Sequence, residues 1–280
     1  MKTPNRLQPL VSEGLVDDVI RQLMSGKEAT VYIVRCGEEI RCAKVYKDAK
    51  QRSFRKSVSY QEGRKTKNSR QARAMEKGTR YGRQMQEEAW QSAEVDALYR
   101  LAAAGVRVPQ PHICHEGVLL MDLVTDADGH PAPRLNDIEL SVEQALEFHA
   151  GLLKQVVRML CAGIIHGDLY EYNILVGHDG PVIIDLPQAV DAAGNSNAGP
   201  MLERDVATLA SYFGQFAPEL VDSDYGKEIW RLYQAGNLTP ESELTGRIEI
   251  DHRIADVDAV LEEVKLALQA EERRLLYQAG

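Results

Sequence analysis

The chain has 280 residues, 44% of them hydrophobic, which is enough to bury a sizeable core and to form two closely joined lobes. No run of about twenty uncharged apolar residues is present, and the first residues lack the layout of a secretory signal, so we expect neither a membrane span nor secretion. Four cysteines without a CxxC pair rule out a disulfide framework, and we expect a cytoplasmic location.

The net charge of −9 is unevenly distributed along the chain. Residues 47–83 contain thirteen basic and three acidic side chains, a local charge of +10, so the other residues together carry −19. This segment has few large apolar residues and no apolar periodicity, which predicts a flexible loop or an exposed, weakly formed helix. Its charge would attract RNA phosphates; a solvated loop that aids solubility is the alternative interpretation.

The first half of the chain has the pattern of a small β-rich lobe. Residues 19–46 read as two or three short strands, with a hairpin over a glycine turn. The pattern becomes helical from Met85 to Ala104, and the apolar run 118–124, VLLMDLV, predicts a buried strand. We therefore place a lobe at 19–124, with residues 1–18 as an N-terminal extension.

The second half of the chain is predicted to be mostly helical. A long helix begins at Ser141, since Gln144 completes a capping-box spacing, and Gly163 ends it. The segment HGDLYEYN follows, and a small hairpin comes after it.

Everything from Met201 onward also looks helical, including an amphipathic helix from about Ile254 to Leu276. Residues 125–280 therefore predict a helical lobe with a helical tail.

Three side chains have the spacing of a phosphotransferase site. Asp168 and Asn173 form a D-x-x-x-x-N loop between a helix end and a hairpin, and Asp185 ends the apolar strand that follows. Carboxylate and amide oxygens suit Mg²⁺, so we expect Asn173 and Asp185 to converge on the metal. Asp168 would be the carboxylate near the acceptor hydroxyl. The pattern predicts an ATP-dependent phosphotransferase of the protein-kinase type.

A lysine for the phosphates is available upstream. The turn SGKEA contains Gly26 and Lys27, and Lys44 lies on a predicted strand from which it can reach phosphates held under that turn. Glu94 lies in the middle of a predicted helix, where it could pair with Lys44. Each residue alone is weak evidence for an ATP site, because an exposed strand lysine or a charged helix face would also explain it.

The loop also lacks features of regulated kinases. Gly167 stands where regulated protein kinases have an arginine that binds an activation-loop phosphate. The path from Asp185 to Asp205 leaves little room for an activation segment. We expect His166 to brace the loop. The predicted class is an α+β, two-lobed protein-kinase-like fold without an activation loop.

Several segments together resemble the RIO family of atypical protein kinases, over about residues 15–220. They are SGKEATVY, AKVYK, the helix with Trp90 and Glu94, DGHPAPRL, HGDLYEYNILV and IIDLPQAV. The resemblance implies a two-lobed kinase that lacks the activation loop and the peptide-docking helices, binds ATP and Mg²⁺ and phosphorylates serine. Related members act in small-subunit ribosome maturation, as ATPases as much as kinases, which suggests ribosomal RNA or a pre-ribosome as a partner of 47–83.

The resemblance assigns roles to residues by position. The catalytic residues would be Lys44, Asp168 and Asp185; ATP would be held by Gly26, Lys27, Lys44, Glu94, Met121, Leu123 and Val124; the metal would be held by Asn173 and Asp185. Asp185 could also form a transient aspartyl-phosphate, because a carboxylate can act as a nucleophile.

Two other functions fit part of the pattern. A small-molecule kinase of the aminoglycoside or choline type shares the HGD-x-x-x-x-N loop, but SGKEA and IDLPQ fit that class poorly. A non-catalytic, nucleotide-sensing scaffold that binds RNA is the third reading, and the intact set of charged residues counts against it. The sequence does not specify the protein that accepts the phosphate.

Overall fold

The computed structural model describes residues 3–47 and 80–248, and for 80–90 it describes the backbone alone. The predictions for residues 48–79 and for the helix at 254–276 lie outside these ranges. Both lobes belong to one compact unit, Met1–Arg247. A second unit, Ile248–Gly280, lies outside the described residues apart from its first residue.

The small lobe is built on a five-stranded antiparallel sheet in the order β1-β2-β3-β5-β4. Its strands are β1 (Asp18–Ser25), β2 (Ala29–Cys36), β3 (Glu39–Tyr46), β4 (Pro111–His115) and β5 (Val118–Asp122). The turn between β2 and β3 contains Gly37 at φ 65°, so the predicted glycine hairpin is confirmed.

The observed strand ends two residues before the end of the strand predicted at 118–124. β5 stops at Asp122, whose N–H donates to Gln110 O at 2.9 Å. Val124 O instead accepts from Ala132 N at 2.9 Å, outside the sheet. Leu123 and Val124 therefore lie in the connection between the lobes, because the apolar run continues beyond the last backbone partner that the sheet provides.

The residues before β1 cover one face of the sheet. A 3-10 turn leads into α1 (Gln8–Ser12), and Leu7, Leu10 and Val16 are each 0% exposed within the apolar cluster of this lobe. The segment predicted as an N-terminal extension thus supplies part of the core.

Strand β3 separates this core from the catalytic cleft. Ala43 and Val45 point into the cluster with α1, whereas Lys44 and Tyr46 point to the opposite face, as alternation along a strand requires.

Helix α2 (Arg80–Ala103) packs on that opposite face and is followed by Gly105, which has φ 71°. Its buried side chains include Val95, Leu98 and Leu101. The helix begins before Met85, so the last four residues of the segment predicted as a flexible loop or an exposed, weakly formed helix, 80–83, are helical. Sequences such as RYGRQM contain good helix formers without an apolar period, and they give no amphipathic signal.

The second lobe is formed by α3 (Val142–Cys161), α4 (Ala198–Phe213) and α5 (Tyr225–Gln234). The predicted capping box of α3 is present: Gln144 N donates to Ser141 Oγ at 3.2 Å, and Ser141 N donates to Gln144 Oε1 at 3.0 Å. Gly163 follows the helix at φ 74°. A Cβ at Gly199 of α4 would lie 2.6 Å from Trp230 Nε1, so glycine allows α4 and α5 to approach closely.

The prediction that everything from Met201 onward is helical is wrong in part. A 3-10 turn occupies Pro218–Leu220, and residues 235–247 form turns and irregular backbone. The carboxylate of Glu228 on α5 accepts from Thr245 N at 2.9 Å and Gly246 N at 2.8 Å. A side chain therefore satisfies donors that a helix would have satisfied within its own backbone.

Two short ribbons complete the second lobe. β7 (Ile174–Gly177) pairs with β8 (Gly180–Ile183), and β6 (Ile164–Ile165) pairs with β9 (Val190–Asp191). Only residues 186–197, with β9 among them, lie between Asp185 and α4. The α+β kinase-like fold without a long activation segment is confirmed. No helix within the described residues has the length and apolarity needed to cross a membrane.

Leu10→Ala tests whether the first residues are structural. We expect the free energy of unfolding to fall by about 2–4 kcal/mol, because a fully buried leucine leaves a cavity between α1 and the sheet. Chemical denaturation of Leu10→Ala and of Ile20→Ala, an exposed residue of β1, measures this; the control should change by no more than about 0.5 kcal/mol. Equal stability of Leu10→Ala and wild type would contradict the role of α1.

Candidate active site

Lys44 is held between two carboxylates at the junction of the lobes. Its Nζ lies 2.5 Å from Glu94 Oε1 on α2 and 2.8 Å from Asp185 Oδ1, which follows β8. Burial lowers the pKa of Lys44, but Glu94 and Asp185 outweigh it and hold the pKa well above its usual value. The lysine is therefore a fixed positive charge in the cleft.

Asp185 is the more open partner of this pair. Its side chain is 43% exposed, whereas that of Glu94 is 7% exposed. Burial raises the pKa of Asp185, but the groups around it, Lys44 first among them, together lower it, and the net pKa is below the usual value. Asp185 also has φ 66°, a left-handed conformation uncommon for residues other than glycine. The result is an ionised carboxylate that faces the cleft and can bind a cation.

The β7–β8 hairpin places Asn173 next to Asp185. Ile184 N donates to Asn173 O at 2.9 Å, next to the paired residues Ile174 and Ile183. The Asn173 side chain donates from Nδ2 to the backbone O of Asp168 at 2.9 Å, which leaves Oδ1 as a metal ligand. The amide oxygen and the Asp185 carboxylate fit Mg²⁺, which prefers hard oxygen ligands.

Asp168 lies beside this pair with one oxygen already oriented. Gln188 Nε2 donates to Asp168 Oδ2 at 3.0 Å. Burial raises the pKa of Asp168; Arg204 lowers it, Asp185 raises it further, and the net pKa is above the usual value. Asp168 is thus a better proton acceptor than a solvated aspartate.

His166 supports the loop through both ring nitrogens. Asp168 N donates to Nδ1 at 3.3 Å, and Nε2 lies 3.1 Å from Ile184 O. This pattern fits a neutral imidazole with its proton on Nε2, and burial lowers the pKa of His166 to about 4. The contacts support the bracing role expected from the sequence.

Asp205 of α4 also fixes this loop. Its carboxylate is 2% exposed and accepts from Gly167 N at 2.7 Å and from Leu169 N at 3.3 Å. Arg204 donates to Gly167 O. Burial raises the pKa of Asp205 to about 6 although these donors lower it. At φ 80°, Gly167 also has a backbone conformation that an arginine would adopt only with strain.

The turn between β1 and β2 forms the edge of the cleft. Gly26 N donates to Ala29 O at 2.9 Å, and Lys47 Nζ donates to Gly26 O at 2.6 Å and to Ser25 Oγ at 3.0 Å. Lys27 is exposed at this turn.

The residues predicted to contact the adenine lie at the end of β5 and just beyond it. Met121 pairs with Cys42 of β3, and the partly exposed Leu123 and Val124 follow in the connection between the lobes. Their contact with adenine stays a prediction.

Sequence reasoning gave no role to three residues of the site: Gln188, Arg204 and Asp205. Gln188 was within the motif IDLPQ, but a neutral amide offers no spacing rule. Asp205 lies 37 residues after Asp168, on a helix whose apolar periodicity is explained by its other side chains. From the sequence, Arg204 looks like an ordinary exposed helix residue, and only the fold brings it into contact with the loop. An acidic residue on the otherwise apolar face of this helix was the available signal.

The fold and the site together define a protein-kinase-like domain, and comparisons with known proteins identify its family. The model of the RIO domain matches residues 30–225. A RIO-type serine/threonine-protein kinase Rio1 from Haloferax volcanii is 33% identical over 78% of this chain and 74% of its own length. The counterpart from Methanocaldococcus jannaschii is 31% identical over 78% of this chain and 69% of its own. This chain belongs to the RIO family.

A solved structure agrees with the fold. The Rio2 kinase–ADP/Mg²⁺–phosphoaspartate complex from Chaetomium thermophilum matches with a TM-score of 0.52 and 22% identity. The match covers 75% of this chain and 59% of that chain. At this identity the likeness supports the kinase fold, and the roles of individual residues rest on the geometry above.

Asp205→Ala tests the support of the catalytic loop. Two buried backbone N–H groups would lose their acceptor, so we expect the free energy of unfolding to fall by about 2–4 kcal/mol. Denaturant unfolding should show this loss, while the exposed Asp222→Ala should stay within about 0.5 kcal/mol of wild type. A wild-type stability for Asp205→Ala would show that these hydrogen bonds contribute little.

Proposed function

We propose that this protein is an Mg²⁺-dependent RIO-type protein kinase that transfers the γ-phosphoryl group of ATP to a serine or threonine hydroxyl. The observation that carries the proposal is the contact of Lys44 with both Glu94 and Asp185, because a lysine suited to phosphates and a carboxylate suited to a metal then share one cleft. The family relationship supports the same class of reaction.

The side chains divide the work of phosphoryl transfer. Lys44, oriented by Glu94, binds the phosphates next to the turn that contains Gly26. Asp185 and Asn173 would hold Mg²⁺, and the ion would supply positive charge that balances the phosphate oxygens. Asp168 faces the acceptor, and Gln188 fixes one of its oxygens so that the other can accept a proton.

Asp168 accepts the proton of the acceptor hydroxyl as its oxygen bonds to the γ-phosphorus, and the bond between that phosphorus and the bridging oxygen breaks to release ADP. The loop bonds of His166 and Asp205 keep Asp168 in place during this step. A transient phosphate on Asp185, which would make the protein an ATPase, stays a prediction.

Asp168→Ala and Asp185→Ala should remove catalysis. In single-turnover assays with radiolabelled ATP, we expect phosphate transfer or release to fall by about 10³-fold in each, because each variant lacks a base or a metal ligand. Asp179→Ala, at the exposed turn of the same hairpin, is the matched control and should keep the wild-type rate.

Equal phosphate release from all four proteins would contradict the catalytic proposal and favour the nucleotide-sensing scaffold. Efficient transfer to aminoglycosides, choline or sugars, with no transfer to protein, would favour the small-molecule kinase instead.

Gln188→Leu should move the acid side of the pH profile. Asp168 must be ionised to act as a base, so activity falls as the pH drops through its raised pKa. The Gln188 amide stabilises the ionised form, and its removal raises this pKa further. We expect the acid limb of kcat/KM to shift to higher pH in Gln188→Leu, with no shift in the exposed Gln215→Leu. Superimposable profiles would argue against this role of Gln188.

We also propose that the basic segment 47–83 binds ribosomal RNA. The support is its local charge of +10 on a chain with a net charge of −9.

Titration of labelled ribosomal RNA against wild type and a variant lacking residues 50–80 tests this segment. We expect the deletion to weaken binding at least tenfold and to reduce the slope of log K against log salt, because fewer phosphate counterions are released. Unchanged affinity and salt slope would leave the segment as a solubilising loop.

A further inference from the structure

Arg134 spans the mouth of the cleft from the second lobe to the first. Its backbone forms an isolated antiparallel bridge with Leu175 of β7, and Val176 N donates to Pro133 O at 2.8 Å. Its Nη2 lies 3.6 Å from Sδ of Met24, near the end of β1. The guanidinium is therefore anchored on the metal-binding hairpin and reaches the strand that leads into the glycine turn.

The guanidinium lies within the electrostatic field of the catalytic groups. Burial raises the pKa of Asp185, whereas Lys44 lowers it, and Arg134 adds to that lowering, so that the net pKa is below its usual value. Burial also raises the pKa of Tyr170, as do Asp168 and Asp185, whereas Arg134 lowers it. Arg134 is thus close to Asp185 on the side of Tyr170, which follows Asp168 by two residues.

Arg134 has no anionic partner of its own in the described part of the chain. Among the described side chains, those of residues 3–47 and 91–248, no carboxylate oxygen lies within 4.0 Å of its nitrogen atoms. The thioether of Met24 is a weak acceptor, so most of the five N–H donors of the guanidinium are available to a ligand. A guanidinium near the Asp185 carboxylate whose donors are mostly unused is suited to an anion that the cleft itself binds.

The geometry points to Arg134 as a ligand of the γ-phosphoryl group. We propose that its guanidinium binds γ-phosphoryl oxygens and neutralises the charge that develops on them during transfer. A planar guanidinium fits phosphate oxygens with paired hydrogen bonds. Lys44 is held by Glu94 of the small lobe, whereas Arg134 reaches from the second lobe, beside β7, towards Met24 near the glycine turn. This inference rests on the proposed kinase function.

Nucleotide binding and phosphate transfer, measured separately on the full chain, test the proposal. The variants are Arg134→Gln and Arg134→Lys. Met24→Leu removes the sulfur contact but keeps the arginine. Arg107→Gln is the matched control, because Arg107 donates to the backbone carbonyls of Asp179 and Gly180 at the far end of the same hairpin.

We expect Arg134→Gln to bind Mg·ADP within about twofold of wild type and to bind the β,γ-imido analogue of ATP about tenfold more weakly, since one charged contact is lost. The single-turnover rate should fall by about 10³-fold, as for other arginines that stabilise a transferring phosphoryl group. Arg134→Lys should recover part of that rate, because it keeps the charge without the planar fork. Met24→Leu and Arg107→Gln should match wild type.

Equal weakening of both nucleotides in Arg134→Gln would place the arginine elsewhere on the nucleotide and overturn the proposal. Wild-type affinities and rates would overturn it too, and so would a Met24→Leu variant as impaired as Arg134→Gln, because a structural clamp between the lobes would then explain the contact. If wild type transfers no phosphate, the proposed kinase function fails, yet the ratio of the two nucleotide affinities still decides whether Arg134 binds the γ-phosphoryl group.

Discussion

The ammonium group of Lys44 is the charge on which the arrangement of this cleft depends. Glu94 and Asp185 approach it from different lobes, at 2.5 Å and 2.8 Å. A buried ammonium is costly unless it is paired, and a pair that loses one partner leaves the other charge uncompensated. The position of α2, the end of β8 and strand β3 are therefore coupled through one side chain.

The catalytic loop is fixed by buried polar contacts on the other side of the cleft. His166 bonds to the Asp168 amide and to the strand end before Asp185, and Asp205 binds the amides of Gly167 and Leu169. In a low-dielectric interior, such satisfied networks hold one conformation strongly. The loop thus has its working geometry without a phosphorylated segment to arrange it, which agrees with the short path from Asp185 to α4.

The parts of the site that were predictable are those in which local spacing implies geometry. Asp168 and Asn173 belong to one loop, and the capping box at Ser141 involves residues three apart, so both follow from the sequence alone. Lys44 and Glu94 are 50 residues apart, and their pairing was an expectation from kinase order until the fold brought them together. Spacing could not identify Gln188, because its amide acts only through its position beside Asp168.

The incorrect predictions of secondary structure also arise from tertiary contacts. The strand at Val118 ends where the neighbouring backbone leaves the sheet, although the apolar run continues to Val124. The chain after α5 is irregular because the Glu228 carboxylate binds backbone amides there. In both places a contact distant in sequence overrides a local propensity.

The most direct test of the central claim is the dependence of ATP affinity on Mg²⁺ in wild type and Asp185→Asn. If Asp185 exchanges its contact with Lys44 for a metal bound to the nucleotide, Mg²⁺ should strengthen ATP binding by at least tenfold in wild type, and this gain should be lost in the variant. An equal gain in both proteins, measured by calorimetric titration, would contradict the assignment of the cleft as an Mg·ATP site organised by Lys44 and Asp185.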